Sequence, residues 1–332
     1  MRSSWVHRRD RRGGWFVAPF LLGFLLFMVV PLGYAVYTSL YTYKIIGGTS
    51  FTGASNYTQT LQSWEFWSGV VRVIVFGAIQ IPIMLAIAFF FACVFDLGVA
   101  KYGTFFRTVF FIPFAVPAVV GAVMWSFLLE PQFGPFTRLA TALGFGGTNY
   151  FSPSLLLPSI IVIVIWEWTG YNMTILYTAL KSVPRDVVEA AILDGAPLWR
   201  IILRVKLPMV RPAIVMLVFL NMIGALQLFT EPQILENFQQ GAVSVNYTPS
   251  YYIWNTAIAA NQTNLAAAMA VILAVIIVAV SALSLLARSG RRLGGRAAAH
   301  RGRRPGGAAP VPRRYLPAGR PPVAAGKTGD LR

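Results

Sequence analysis

Apolar residues along this chain gather into six long stretches, at roughly 15–41, 70–95, 104–129, 154–180, 209–231 and 265–287, each bounded by charged or turn-forming residues. A helix that crosses a bilayer needs about 20 predominantly apolar residues, and every stretch meets that length. The strands of a membrane β-barrel would instead alternate apolar and polar residues over about ten positions, and runs such as 270–280 do not alternate. The pattern predicts an all-α integral membrane protein with six transmembrane helices. The first stretch follows five arginines and resembles a secretory signal in that respect. It is longer than the roughly 7–15 apolar residues of such a segment and lacks an evident small-residue cleavage site, so it is read as an uncleaved first span.

Composition excludes a soluble alternative. Hydrophobic residues make up 56% of the 332 and charged residues 12%, where a soluble globule carries about 25% charged. Of the net charge of +17, the ends carry +15. Residues 1–14 and 288–332 together hold 17 of the 28 basic groups and two of the 11 acids. The chain therefore divides into a basic N-terminus 1–14, a six-helix domain 15–287 and a basic tail 288–332. The tail is rich in Gly, Pro, Ala and Arg without apolar periodicity, which predicts disorder. Charge flanking spans points to the lipid bilayer and not to nucleic acid, whose binders place basic residues on a folded, groove-fitting element.

Lys and Arg in short loops mark the cytoplasmic side. Basic residues concentrate in the N-terminus, around Lys101 and Arg107, in the loop after the fourth stretch and in the tail, while the alternate loops carry only Lys44 and Arg138. All four basic segments share one side when both termini are cytoplasmic, as an even number of spans requires. The expected location is the cytoplasmic (inner) membrane, with multiple passes. The lone Cys93 and the two tail histidines, His7 and His300, exclude a Cys- or His-based metal cluster. Gly326-Lys327-Thr328 has part of a phosphate-loop pattern, but Pro321 stands where a glycine is needed. No cofactor is expected on this chain, so active transport would draw its energy from another.

The loop 181–208, KSVPRDVVEAAILDGAPLWRIILRVKLP, is the most informative segment. Pro184 suits the first turn of a helix, and Gly195 with Pro197 ends it. A second amphipathic segment, 198–206, leads to Pro208 and Pro212, where the fifth span starts afresh. This is a short helix–turn–helix between two spans. It fits an amphipathic loop on lipid, or a docking element whose small residues Ala190, Ala191 and Gly195 admit a partner backbone.

Glu189-Ala190-Ala191, Asp194-Gly195-Ala196 and Leu207-Pro208 together resemble the EAA loop of inner-membrane permease subunits of ABC importers. Phe106-Arg107-Thr108, Phe111-Ile112-Pro113, Trp125 with Glu130-Pro131, Trp166 with Gly170, Asn172 and Met173, and the run 226–232 resemble the sugar-importer branch, as does Asn56-Tyr57. The similarity covers about 15–287 and is nearest the maltose- and lactose-permease-like partner of the pair. One departure is visible: many relatives have Thr-Gly-Gly-Pro soon after the fifth span, where this chain has Asn237-Phe238-Gln239-Gln240-Gly241. The resemblance implies a subunit that translocates a carbohydrate and performs no covalent chemistry. It implies a second permease subunit, ABC ATPase subunits that use ATP and Mg, and an extracytoplasmic solute-binding protein. Glu189, Ala190, Ala191, Asp194, Gly195, Leu207 and Pro208 would then form a cytoplasmic coupling loop docked on the ATPase.

Polar groups inside a bilayer usually face a cavity or the bundle interior. Glu167, Gly170, Tyr171, Thr174 and Thr178 fall on one helical face. By the same geometry Asn221, Gly224, Gln227, Leu228 and Glu231 form a stripe on the fifth span. Tyr252 and Asn255 add a ring and an amide before the sixth. Amides suit sugar hydroxyls and rings suit sugar C–H faces, so Glu167, Tyr171, Asn221, Gly224, Gln227, Glu231, Tyr252 and Asn255 are the candidate path, although the same residue types also pack membrane helices. The rival readings are a standalone secondary carrier or channel, an ABC permease for a non-sugar solute, and a membrane scaffold acting through the tail.

Overall fold

The computed structural model describes residues 15–44, 47–98, 101–146 and 148–301; the basic N-terminus and the tail beyond Arg301 lie outside the described residues. Among the described residues, five helices are long and apolar enough to cross a membrane: Trp15–Ser39, Trp64–Asp96, Leu156–Lys181, Leu198–Leu226 and Thr263–Ala282. A bent pair, Gly103–Ala115 and Ala118–Leu128, supplies the sixth if counted as one span. In chain order these are the first, second, fourth, fifth, sixth and third spans respectively.

The fourth span is the centre of the bundle, with 61% of its apolar window buried; the first span has none. One core cluster joins Val73 and Phe76 of the second span to Ile160 and Ile163 of the fourth and Ala225 and Leu226 of the fifth. Another joins Leu85 and Ala88 to Met173, Leu176 and Leu217. A smaller one seats Phe66 and Val70 against Met269 and Leu273 of the sixth span. The first span is held at its C-terminal end. Asn56 Nδ2 donates to the carbonyls of Ser39 and Tyr41, each at 2.8 Å, beside an antiparallel hairpin of Tyr41–Lys44 and Gly48–Phe51.

Prolines explain three departures from the predicted spans. The third span is not continuous: it bends by 95° between Ala115 and Ala118. Val116 precedes Pro117 and is driven to extended backbone (ψ 130°), because the proline ring disfavours a helical residue before it. The fifth span starts at Leu198 and not at 209, so the second amphipathic segment of the loop is continuous with it. A π turn, Ile202–Lys206, makes the join, with the Leu207 N–H donating to the Ile202 carbonyl five residues back. Widening the helix before Pro208 relieves the clash of its ring with the preceding turn. The first span uses the same device over Leu25–Val29, before Pro31.

The fifth span also ends early, at Leu226, and the predicted helical stripe through Glu231 is broken. A short helix, Thr230–Phe238, follows. Pro232 sits in its first turn, where a missing N–H costs nothing; in an uninterrupted helix its ring would strike the carbonyl four residues back. Hydroxyls from the next segment replace lost partners: Thr248 Oγ1 donates to the Leu228 carbonyl at 2.8 Å and Ser250 Oγ to that of Leu226 at 3.5 Å. The sixth span lies in the helix Thr263–Arg301.

Close packing of the third and fourth spans requires Gly170. A Cβ there would lie 1.8 Å from the Phe110 carbonyl oxygen. Gly170→Ala is expected to force these helices apart, at an overpacking cost of about 1–3 kcal/mol, read as a lower melting temperature of the purified protein in detergent.

Candidate functional site

The two span breaks flank one polar cavity of about 470 Å³. Ala118 enters its wall just after the bend of the third span, and Gln227, Leu228 and Phe229 enter from the break of the fifth. Phe76 and Gln80 of the second span and Val164, Glu167, Trp168 and Tyr171 of the fourth complete much of the lining, with Leu220, Asn221, Gly224, Thr230 and Glu231. Irregular backbone at membrane depth is tolerated where it lines a cavity or is buried in protein, and here it does the former. A larger cavity of about 610 Å³ between the second, fifth and sixth spans is lined by apolar residues such as Leu85, Met222 and Ile276 and offers a solute no hydrogen-bonding side chain.

Six of the eight path candidates meet at the polar cavity: Glu167, Tyr171, Asn221, Gly224, Gln227 and Glu231. They do so for a different reason from the predicted stripe. Gln227 and Glu231 reach the wall because the fifth span stops and the chain turns, not because they continue its face. Glu167 and Glu231 are 5% and 7% exposed, and both line the cavity. Tyr171 stacks on Phe114, the two rings 4.7 Å apart and tilted by 24°. Gly224 has nothing within 4 Å of where a Cβ would stand, so it leaves open volume. Tyr252 and Asn255 lie elsewhere: Tyr252 packs on the cluster around Phe66 and Met269, and Asn255 Nδ2 donates to the Tyr251 carbonyl at 3.1 Å. Thr174 and Thr178 turn their hydroxyls onto their own helix.

Gln80, Trp168 and Phe229 line the cavity and were missed. For Gln80 a signal existed: it is a lone amide in the second apolar stretch. Asn172, fully buried, ties the site together. Its Nδ2 donates to the Trp168 carbonyl at 2.8 Å, and its Oδ1 accepts from Asn221 Nδ2 at 2.9 Å, linking the fourth and fifth spans.

At the far end of these spans the loop helix Arg185–Leu193 buries no residue. Glu189, Ala190, Asp194 and Gly195 are exposed, Ala191 is half-buried, and Leu207 and Pro208 stand where the π turn gives way to regular helix. Gly195, at φ +73°, closes the helix: its N–H donates to the Ile192 carbonyl and the Ala196 N–H to that of Ala191. This is the Schellman arrangement, which favours glycine at the left-handed position. Among the described residues, nothing beyond its chain neighbours lies within 4 Å of a Cβ placed there, so conformation and not crowding selects glycine.

A helical membrane bundle with a polar cavity between two broken spans, and an exposed capped helix strung between two others, has the architecture of a permease. The chain belongs to the binding-protein-dependent transport system inner membrane component family, whose sequence profile matches residues 84–294. It is similar to the lactose transport system permease protein LacF of Rhizobium radiobacter, 31% identical over 263 residues, covering 76% of this chain and 86% of that protein. It is 28% identical over 263 residues to the sn-glycerol-3-phosphate transport system permease protein UgpA of Yersinia pseudotuberculosis, covering 79% and 89%. The fold is shared with a chain of a bacterial alginate ABC transporter solved in complex with an alginate pentasaccharide-bound periplasmic protein (TM-score 0.72, 20% identity, 86% of this chain and 96% of that one). The protein is thus a multi-pass membrane permease component of an ABC importer, in a family whose ATP hydrolysis belongs to a separate subunit.

Asn172 and Asn221 form a testable interhelical pair. A double-mutant cycle of Asn172→Ala and Asn221→Ala on thermal stability is expected to give a coupling energy of about 0.5–1.5 kcal/mol; strictly additive losses would show that the bond contributes nothing.

Proposed function

We propose that this chain passes a carbohydrate through the cavity between the broken third and fifth spans. The observation that carries this reading is the convergence there of amide, carboxyl and aromatic side chains from the second, fourth and fifth spans. Amides donate and accept hydrogen bonds, as sugar hydroxyls do, and the rings of Tyr171, Trp168 and Phe229 suit sugar C–H faces. The name of the lactose permease relative points the same way. The name of the sn-glycerol-3-phosphate relative keeps a polyol phosphate as the second reading.

In this proposal both termini and the helix Arg185–Leu193 are cytoplasmic, following the distribution of Lys and Arg. Glu189, Ala190, Ala191, Asp194, Gly195, Leu207 and Pro208 form the coupling loop, which docks on an ABC ATPase that uses ATP and Mg. A second permease completes the pathway, and an extracytoplasmic solute-binding protein delivers the substrate. The exposed apolar side chains of Ile192 and Leu193, 58% and 88% accessible, fit a protein partner.

Two experiments test the two ends. Gln227→Ala removes a cavity amide, and loss of one hydrogen bond costs about 0.5–1.5 kcal/mol. Uptake normalised to assembled complex is therefore expected to weaken about threefold to tenfold, unequally among several sugars and glycerol 3-phosphate. A uniform loss that tracks complex abundance would remove Gln227 from the path. Gly195→Asp tests docking, since aspartate tolerates the left-handed conformation better than most residues. The variant is expected to insert normally and to lose both uptake and transport-linked ATP hydrolysis; normal uptake would exclude docking at this turn. Uptake by this chain expressed alone would favour a standalone carrier over both readings.

A further inference from the structure

Asp96 is the last residue of the second span, and its side chain is 6% exposed. Nothing local favours an acid there. The C-terminal turn is the negative end of a helix dipole, which attracts cations and disfavours carboxylates, and a buried charge needs a partner. Two partners arrive from two other spans. Lys181 Nζ, from the last residue of the fourth span, lies 3.2 Å from Asp96 Oδ1 and donates to the Asp96 main-chain carbonyl at 3.3 Å. Lys206 Nζ forms an ion pair with Asp96 Oδ2 and donates to it. The Lys206 arm is nearly buried, its side chain 11% exposed, while that of Lys181 is 51% exposed.

The positions of these lysines give the cluster its meaning. Lys181 immediately precedes the turn into the helix Arg185–Leu193, and Lys206 is the last residue of the π turn before Leu207-Pro208. One carboxylate therefore holds both flanks of the loop 182–205. The helix Arg185–Leu193 between them buries no residue, so a displacement imposed on it reaches the bundle through those flanks, where Val183 and Ile202 also pack on the core and Ile201 is buried.

We propose that Asp96 is a positioning residue for energy coupling: its carboxylate clasps the entry and exit of the coupling loop, so that movement of the helix Arg185–Leu193 displaces the second, fourth and fifth spans together. This rests on the reading of the loop as the ATPase-docking element. Without the clasp the flanks move separately, and part of each loop displacement is lost before it reaches the cavity.

The test uses the full complex of both permeases, ATPase and binding protein in proteoliposomes, and measures solute transported per ATP hydrolysed. Asp96→Asn is expected to lower that ratio roughly fivefold or more, the lower end of usual coupling between sites. Because this variant leaves Lys206 unpaired, Asp96→Asn/Lys206→Met is measured beside it; removing both buried charges leaves only Lys181, whose side chain is 51% exposed, without its carboxylate. The double variant is expected to assemble with wild-type yield and melting temperature and to keep the low ratio. A wild-type ratio in the assembled double variant overturns the proposal. So does failure of the double variant to assemble, which would make the cluster a folding contact. Gly195→Asp serves as the parallel control. If it too leaves transport unchanged, the docking reading falls and this inference with it; if it uncouples while the double variant does not, only the role of Asp96 falls.

Discussion

The hydrocarbon core of a bilayer has no water to satisfy a backbone N–H or carbonyl, so a chain that interrupts a helix there must supply replacements. This protein interrupts two. At the third span the interruption is a 95° bend before Pro117; at the fifth it is the stretch between Leu226 and Thr230. The hydroxyls of Thr248 and Ser250 take up the task at the second break by donating to the buried carbonyls of Leu228 and Leu226. Their service makes the break sustainable, and the break makes the polar cavity.

The fifth span joins that cavity to the loop at the basic end. Its π turn holds Lys206, and its last residues, with Asn221 and Gly224, line the cavity. The twenty residues Leu207–Leu226 between turn and break make about 30 Å of helix. Asn221 fastens this element to Asn172 of the fourth span near the cavity, and Asp96 fastens it to the second and fourth near the loop. Two polar attachments thus fix its ends, while Leu217 and Val210 fill the apolar space between them.

Much of this could be read along the chain. The apolar stretches announced the helices because length and hydropathy are local properties. Gly195 announced a turn because its sequence neighbours end a helix there. Glu167, Tyr171 and Asn221 stood out as polar groups in apolar surroundings. The assumption that failed was regularity. Projecting Gln227 and Glu231 along an ideal helix placed them on a face that does not exist, and splitting the loop at Pro208 missed a π turn that lets the helix run through it. Proline forbids a regular helix but does not say whether the chain will bend, widen or stop.

The sequence by itself determined that the chain lies in a membrane, how many apolar segments it has, and which segment carries the exposed helix, because each follows from residue type and spacing. Only the tertiary structure decided what the polar residues inside the membrane do. Tyr252 and Asn255 looked as suitable as Gln227, yet Tyr252 went to a packing cluster and Asn255 to its own helix, while Gln80, from a span that offered no path candidate, entered the cavity. Lys181 and Lys206 stand 85 and 110 positions from Asp96 along the chain. No periodicity relates residues so far apart; their contact exists because the ends of the second and fourth spans pack beside the π turn of the fifth.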